Sequence, residues 1–162
     1  AFKESGINNS RLVIAGNGSQ KDYLVSLAGD LKGAHIEFWD APMHEVPEIQ
    51  AKADVLLLSL VKGAAKFALP SKLPAYMFSE KPIIACVEEN SDTACILKEA
   101  HCGWIVPPED KDAISNTMIM TNSLPREDLK RYGQSGYDYA LANFSKRRNL
   151  KKFVSIIDSV KK

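Results

Sequence analysis

Val55-Leu56-Leu57-Leu58-Ser59-Leu60 (VLLLSL, residues 55–60) is apolar at almost every position, so an extended chain here carries hydrophobic side chains on both faces. Such a strand belongs inside a parallel sheet covered by helices on both sides. Upstream, Leu12 to Ala15 (LVIA) is a second β-favouring run, stopped by Gly16-Asn17-Gly18, after which Ser19 is placed to cap a helix. Tyr23, Leu24, Leu27, Ala28 and Leu31 follow at three- and four-residue spacing as one apolar stripe that Gly33 ends. His35 to Trp39 reads as the next strand, and Pro47 to Lys52 as a short helix leading back to VLLLSL.

The alternation continues downstream. Ser71 is the expected N-cap of a helix that Lys81-Pro82 closes, and the strand Ile83 to Val87 comes next. Ser91 or Asp92 caps a helix through Ala100, Gly103 turns the chain, and Trp104 to Val106 is one more strand, stopped by Pro107-Pro108. From Glu109 onward the pattern is helical, near Asp110 to Thr121, Pro125 to Asn143 and Ser145 to Val160, and these helices are expected to cover the sheet. In the last of them Leu150, Phe153, Val154 and Ile157 share one face. The expected fold is one doubly wound, Rossmann-like parallel α/β domain of five or six strands with a C-terminal helical tail.

Bulk properties narrow the function. A chain of 162 residues with 45% hydrophobic and 25% charged residues suits one compact domain. Twenty-one basic residues against 20 acidic ones leave a formal charge of +1, without the one-signed field that nucleic-acid binding requires. The densest basic stretch, Lys146, Arg147, Arg148, Lys151 and Lys152, reads as a solvated helix face, with contact to an anionic membrane surface as its alternative. Cys86, Cys95 and Cys102 lack CxxC spacing and His35, His44 and His101 are scattered, so neither a disulfide framework nor a metal site is indicated and a cytoplasmic location is expected. No apolar run reaches the roughly 20 residues of a membrane span, and no signal-peptide pattern is present. Ala1 to Ser10 open without an initiator Met or a strand, an abrupt start expected of a piece of a longer protein.

In an open parallel sheet, ligands bind beyond the carboxyl ends of the strands. Two loops there carry suitable chemistry. Gly16-Asn17-Gly18 presents small residues ahead of a helix, allowing close backbone approach to a phosphate or sugar. It is only the GxG part of a dinucleotide fingerprint, lacking the third glycine; Asp40 is a weak candidate for that fingerprint's acid. Lys62 to Lys72 (KGAAKFALPSK) joins three lysines, Lys62, Lys66 and Lys72, to a helix start whose free N–H groups, with the Ser71 hydroxyl, suit a diphosphate. Trp39, Trp104, Cys86, Met118, Ile119 and Met120 read as packing residues.

These blocks, LVIAGNGSQ, ADVLLLSL, LPSKLPAYMFSEKPIIA, SDTACILKEAHCGWIVPPED and ANFSK, occur in the order and at the spacing found in one family. From about residue 11 to 155 the chain resembles the C-terminal domain of family 4 (group 1) retaining glycosyltransferases of the two-domain GT-B architecture, closest to the branch that makes bacterial surface polysaccharides. The resemblance implies a UDP- or GDP-sugar as substrate, no further cofactor, and a donor crevice facing an N-terminal acceptor domain. It places the sugar and phosphates by Gly16, Asn17 and Gly18, the base by the loop Asp40-Ala41-Pro42-Met43, and the diphosphate by Ser71, Lys72 and the N–H of Leu73. Peripheral attachment of the full-length enzyme to the inner face of the membrane is a further implication.

Two departures stand out. Many family members carry two glutamates eight residues apart, the second contacting the ribose, whereas the corresponding positions here are Phe67 and Ala75; Asp92 or Glu99 are the candidate substitutes. The family also places an Arg and a Lys that neutralise the donor phosphates just after its domain's first strand, and this chain starts beyond both. The acceptor domain and that strand are therefore expected to be missing, and the fragment alone is not expected to turn over, because retaining transfer needs charge stabilisation of the departing diphosphate and a second reactant held in line. The alternatives are a non-hydrolysing UDP-sugar 2-epimerase-like domain, whose catalytic acids do not appear at matching positions, and a non-catalytic nucleotide-binding module.

Overall fold

The computed structural model describes residues 1–29, 35–64 and 69–160. In chain order the elements are β1 (Leu12–Ala15), α1 (Lys21–Gly29), β2 (Ile36–Trp39), α2 (Val46–Ala51), β3 (Leu56–Ser59), α3 (Lys72–Phe78), β4 (Ile83–Cys86), α4 (Asp92–Ala100), β5 (Gly103–Val106), α5 (Lys111–Asn122), α6 (Arg126–Asn143) and α7 (Lys146–Val160). All the strand pairings are parallel, as the βα alternation requires. Among the described residues, however, they lie in two sheets. β1 pairs with β2 in a two-stranded ribbon, and β3-β4-β5 form a separate three-stranded sheet centred on β4.

The core lies around the three-stranded sheet. Every residue of β4 is buried, and Leu58, Leu73, Met77, Ala85, Leu97, Cys102 and Ala140 close one face beneath α3, α4 and α6. On the other face Ile84, Cys86 and Val106 meet Leu57, Trp104 and Met118, which brings α5 against the sheet. VLLLSL therefore does have two apolar faces, one under each helical layer. Trp104 packs against Tyr132 at 4.7 Å between ring centroids, and Cys86 is core, both as expected. Of the α5 trio only Met118 joins that cluster; Ile119 and Met120 stay exposed, since a helix on a sheet buries one stripe.

Two helices depart from expectation. The α1 stripe is not buried: Tyr23 is 63% exposed and Leu27 45% exposed, because a two-stranded ribbon offers little surface to cover. Leu31 and Gly33 lie outside the described residues. Helix α7 does not cover the sheet either; it meets α6, and Leu150, Phe153, Val154 and Ile157 remain 40% to 61% exposed. Capping resolves the remaining ambiguities. The Ser91 hydroxyl accepts from Ala94 N–H and the Asp110 carboxylate from Ala113 N–H, so Ser91, not Asp92, caps α4. Ser19 sits two residues ahead of α1, where Gln20 supplies the first carbonyl to the Leu24 N–H.

The three cysteines are free and differ in burial. Burial pushes the Cys102 thiol up to about 12 and raises that of Cys86, while Cys95 is exposed on α4. At pH 8 a thiol reagent is expected to modify Cys95 promptly and Cys86 and Cys102 only on unfolding. For Cys102 an unfolded chain ionises near 9.0 and the folded one near about 12, so the unfolded state holds fewer protons between those values and stability falls as pH rises through that window. Titrating accessible thiols before and after adding urea checks the first statement; prompt labelling of all three would refute it.

Candidate functional site

The carboxyl ends of β1 and β2 are tied together. Gly16 takes φ +138°, a backbone conformation open to glycine, and its N–H donates to the Trp39 carbonyl at 3.0 Å. Lys21, the first residue of α1, then reaches back over the turn, its Nζ donating to Asn17 Oδ1 and to Asp40 Oδ1, each at 2.8 Å. The Lys21 hydrogen bond and charge hold the Asp40 carboxyl below the usual carboxylate range. Asn17, Gly18 and Asp40 are exposed and Ala41 half-buried. The structure thus brings the expected residues Gly16, Asn17, Gly18, Asp40 and Ala41 into one cluster, with Lys21 as its clasp.

The loop after β3 is clasped by carboxylates instead. Gly63, at φ +88°, donates its N–H to Glu88 Oε1 from the loop after β4, and the Lys62 N–H donates to Glu109 Oε1, after β5, at 3.3 Å. Three neighbouring strands therefore have their carboxyl-end loops cross-linked. Lys62, Ser71 and Lys72 are exposed to solvent. Ser71 stands at the N-cap position of α3, yet its own backbone is helical and its hydroxyl makes no capping bond, which leaves that hydroxyl uncommitted to the helix. The Leu73 N–H donates to the Pro70 carbonyl at 3.0 Å to close the turn, and its side chain is core. Lys66 and Phe67 lie outside the described residues.

Lys21, Glu88 and Glu109 escaped the sequence reading. Lys21 had a usable signal, three residues beyond Gly18 in the first helical turn. The two glutamates had none, since only the fold brings residues 88 and 109 to residues 62 and 63. Of the candidate ribose substitutes, Glu99 accepts from the Tyr139 hydroxyl at 2.9 Å across α4 and α6, and Asp92 is an exposed first-turn residue of α4. Trp39 is held by its own strand, donating from Nε1 to Glu37 Oε2 at 2.8 Å with the Arg11 guanidinium 5.5 Å over its ring. Two surface concavities, one beside Ser10, Arg11 and His35 and one beside Asp54, Lys81 and Arg126, lie at the amino ends of the strands, away from these loops. Among the described residues no three His, Cys, Asp or Glu side chains gather as a metal site, and no helix is long and apolar enough to cross a membrane.

Loops with small residues at the carboxyl ends of parallel strands are where α/β sheets hold ligands, and family membership sharpens which ligand to expect. The family described as glycosyl transferases group 1 matches residues 2–121, about three-quarters of the chain. The chain belongs to the group 1 glycosyl transferases. A similar member is the probable glycosyltransferase WbjE of Pseudomonas aeruginosa, 29% identical over 107 residues, which are 66% of this chain and 26% of that relative. This glycosyl transferase chain thus spans about a quarter of the relative it matches. The family match takes in both clasped loop systems and the Ser71–Lys72 helix start.

Proposed function

We propose that this chain is the donor-binding, C-terminal half of a family 4 hexosyltransferase, holding a UDP- or GDP-sugar for transfer to a glycan or lipid-linked acceptor in polysaccharide synthesis. One observation carries the reading: a positive-φ glycine turn clasped by a lysine to the next strand's carboxylate, at the carboxyl ends of two adjacent parallel strands. The exposed small-residue turn at Asn17 and Gly18 suits close approach of a phosphate or sugar, and the Asp40-Ala41 loop suits a base held against backbone groups. Lys21, Lys62 and Lys72 supply positive charge toward a diphosphate, whose negative charge grows when the sugar leaves. The basic residues 146–152 beside the exposed apolar face of α7 fit attachment of the whole enzyme to an anionic membrane at its cytoplasmic face.

Calorimetric or NMR titration with UDP, GDP and their sugar derivatives tests this. Saturable binding is expected, with amide shifts at Gly16 to Gly18, Asp40 and Lys72. Lys21→Ala and Lys72→Ala should each weaken it by about tenfold, the scale of one charge-assisted hydrogen bond. No binding at millimolar nucleotide would overturn the donor assignment, and unchanged affinity in Lys72→Ala would remove that residue from the site.

A further inference from the structure

The backbone ladders of the three-stranded sheet end on two bonds, from the Leu60 N–H to the Cys86 carbonyl at 3.3 Å and from the Val87 N–H to the Val106 carbonyl at 3.0 Å. Beyond them the strands give way to loops, and the cross-links continue through side chains. The Glu88 carboxylate accepts from the Gly63 N–H and the Glu109 carboxylate from the Lys62 N–H. Two successive amides of the loop after β3 are thus held from the loops after β4 and β5. An ionised acceptor makes such a bond roughly twice as strong as a neutral one of the same geometry.

Glu109 reaches Lys62 at a backbone cost. Pro107 to Asp110 form a turn in which the Asp110 N–H donates to the Pro107 carbonyl, and Glu109, at the third position, has φ 63°. A turn with positive φ at that position favours glycine, because a Cβ crowds the chain in the left-handed region. Glu80 and His101 also have positive φ, but they end α3 and α4, where a left-handed residue is a common way to finish a helix. Glu109 ends no helix. Nor does its bond exist only to satisfy an amide: Lys62 and Glu109 are both exposed, so water would serve the N–H without strain. What water cannot do is fix where the loop stands. Strain retained where an unstrained solution exists marks a residue with a task.

We propose that Glu88 and Glu109 are positioning residues of the donor site, tethering the Lys62–Gly63 backbone so that Lys62 meets the donor diphosphate from a fixed root. This role rests on the donor assignment. Gly63, at φ 88°, is the residue whose conformational freedom lets the loop turn between the two carboxylates. With its backbone held, only the Lys62 side chain has to order when a diphosphate arrives, which removes the loop's share of the ordering cost. Both glutamates act through that backbone and not on the ligand, since a carboxylate facing a diphosphate would repel it. Their acceptor oxygens are therefore what the site needs from them, and their charge is not.

Thermal melts and calorimetric titration with UDP and GDP, run on the 162-residue chain and on Glu109→Gly and Glu109→Gln, test this. Glycine removes tether and strain together, so the two readouts are expected to move in opposite directions. The melting temperature should equal or exceed that of the parent, while affinity for the diphosphate falls by about fivefold to tenfold. Glutamine keeps an acceptor oxygen without the charge and is expected to hold the affinity within about twofold of the parent. Glu88→Ala should lower affinity to the same extent as Glu109→Gly; should it fail to fold by circular dichroism, Glu88→Gln is the second variant, expected to match the parent. Unchanged affinity in Glu109→Gly overturns the positioning role and leaves the donor assignment standing. A melting temperature that drops along with the affinity makes the tether a general structural bond and overturns the role as well. Lost affinity in either glutamine variant puts the charge itself on the ligand, against an action through the backbone. A parent chain that binds neither nucleotide rejects the donor assignment, and the positioning role falls with it.

Discussion

Gly103→Ala is expected to destabilise the fold by about 4 kcal/mol, close to the total stability of a marginal domain. Gly103 opens β5 opposite Ile83, and a Cβ added there would lie 1.8 Å from the Ile83 carbonyl oxygen and 2.8 Å from its nitrogen. These are backbone atoms of the central, fully buried strand, held between β3 and β5, and no rotamer change can move them. The substituted chain must either lever β5 off the sheet or push β4 toward β3. Levering β5 away also displaces Glu109, the residue that holds the Lys62 amide. The measurement is a thermal or urea melt beside the parent. A melting temperature lowered by roughly 10 °C, or failure to accumulate as soluble protein, is expected at ~2–4 °C per kcal/mol; a shift under about 2 °C would show that the strand yields and would sink the argument.

The second large effect sets two principles against each other. Gly133 lies in the middle of α6, where alanine normally stabilises a helix by about 1 kcal/mol. Here a Cβ would sit 2.1 Å from the Glu80 carbonyl oxygen and 2.6 Å from its carbonyl carbon. Glu80 is itself at φ 56°, in a tight turn between α3 and β4 that has no slack to give. One turn along, a Cβ added at Gly136 would lie 2.9 Å from the Cys102 Cβ, so α6 is seated along two glycines rather than one. Overpacking against backbone, about 3 kcal/mol or more, outweighs the propensity gain, and Gly133→Ala is expected to lose about 2 kcal/mol or more net. Gly29→Ala, at a helix end with nothing within 4 Å of the added carbon, is the matched control and should be neutral or slightly stabilising. If both substitutions behave alike in urea melts, intrinsic propensity governs and the close seating of α6 is irrelevant.

The five strands and the helices between them were legible because their signals are local. β-Favouring runs end at glycine or proline, and a cap such as Ser91 or Asp110 satisfies N–H groups within three residues of itself. The Gly16 loop was legible for the same reason: a positive-φ turn between strand and helix needs small residues whatever surrounds it. The bond from the Leu73 N–H to the Pro70 carbonyl was not legible, because an unpaired N–H is the default at a helix start and the carbonyl that takes it is a matter of turn geometry.

By itself, then, the sequence determined where strands, helices and glycine turns lie, since propensity, capping and the two hydrophobic periods act over a few residues. Tertiary structure alone decided what those elements meet. It set Lys21 on Asp40, put Glu88 and Glu109 on the loop after β3, left the apolar faces of α1 and α7 uncovered, and divided one expected sheet between β1 and β3. An apolar stripe records that a face seeks burial but not whether a partner is present, and a strand pattern records two edges but not which neighbour fills them. Those outcomes depend on contacts between residues distant in the chain, whose closure entropy and geometry no local pattern encodes.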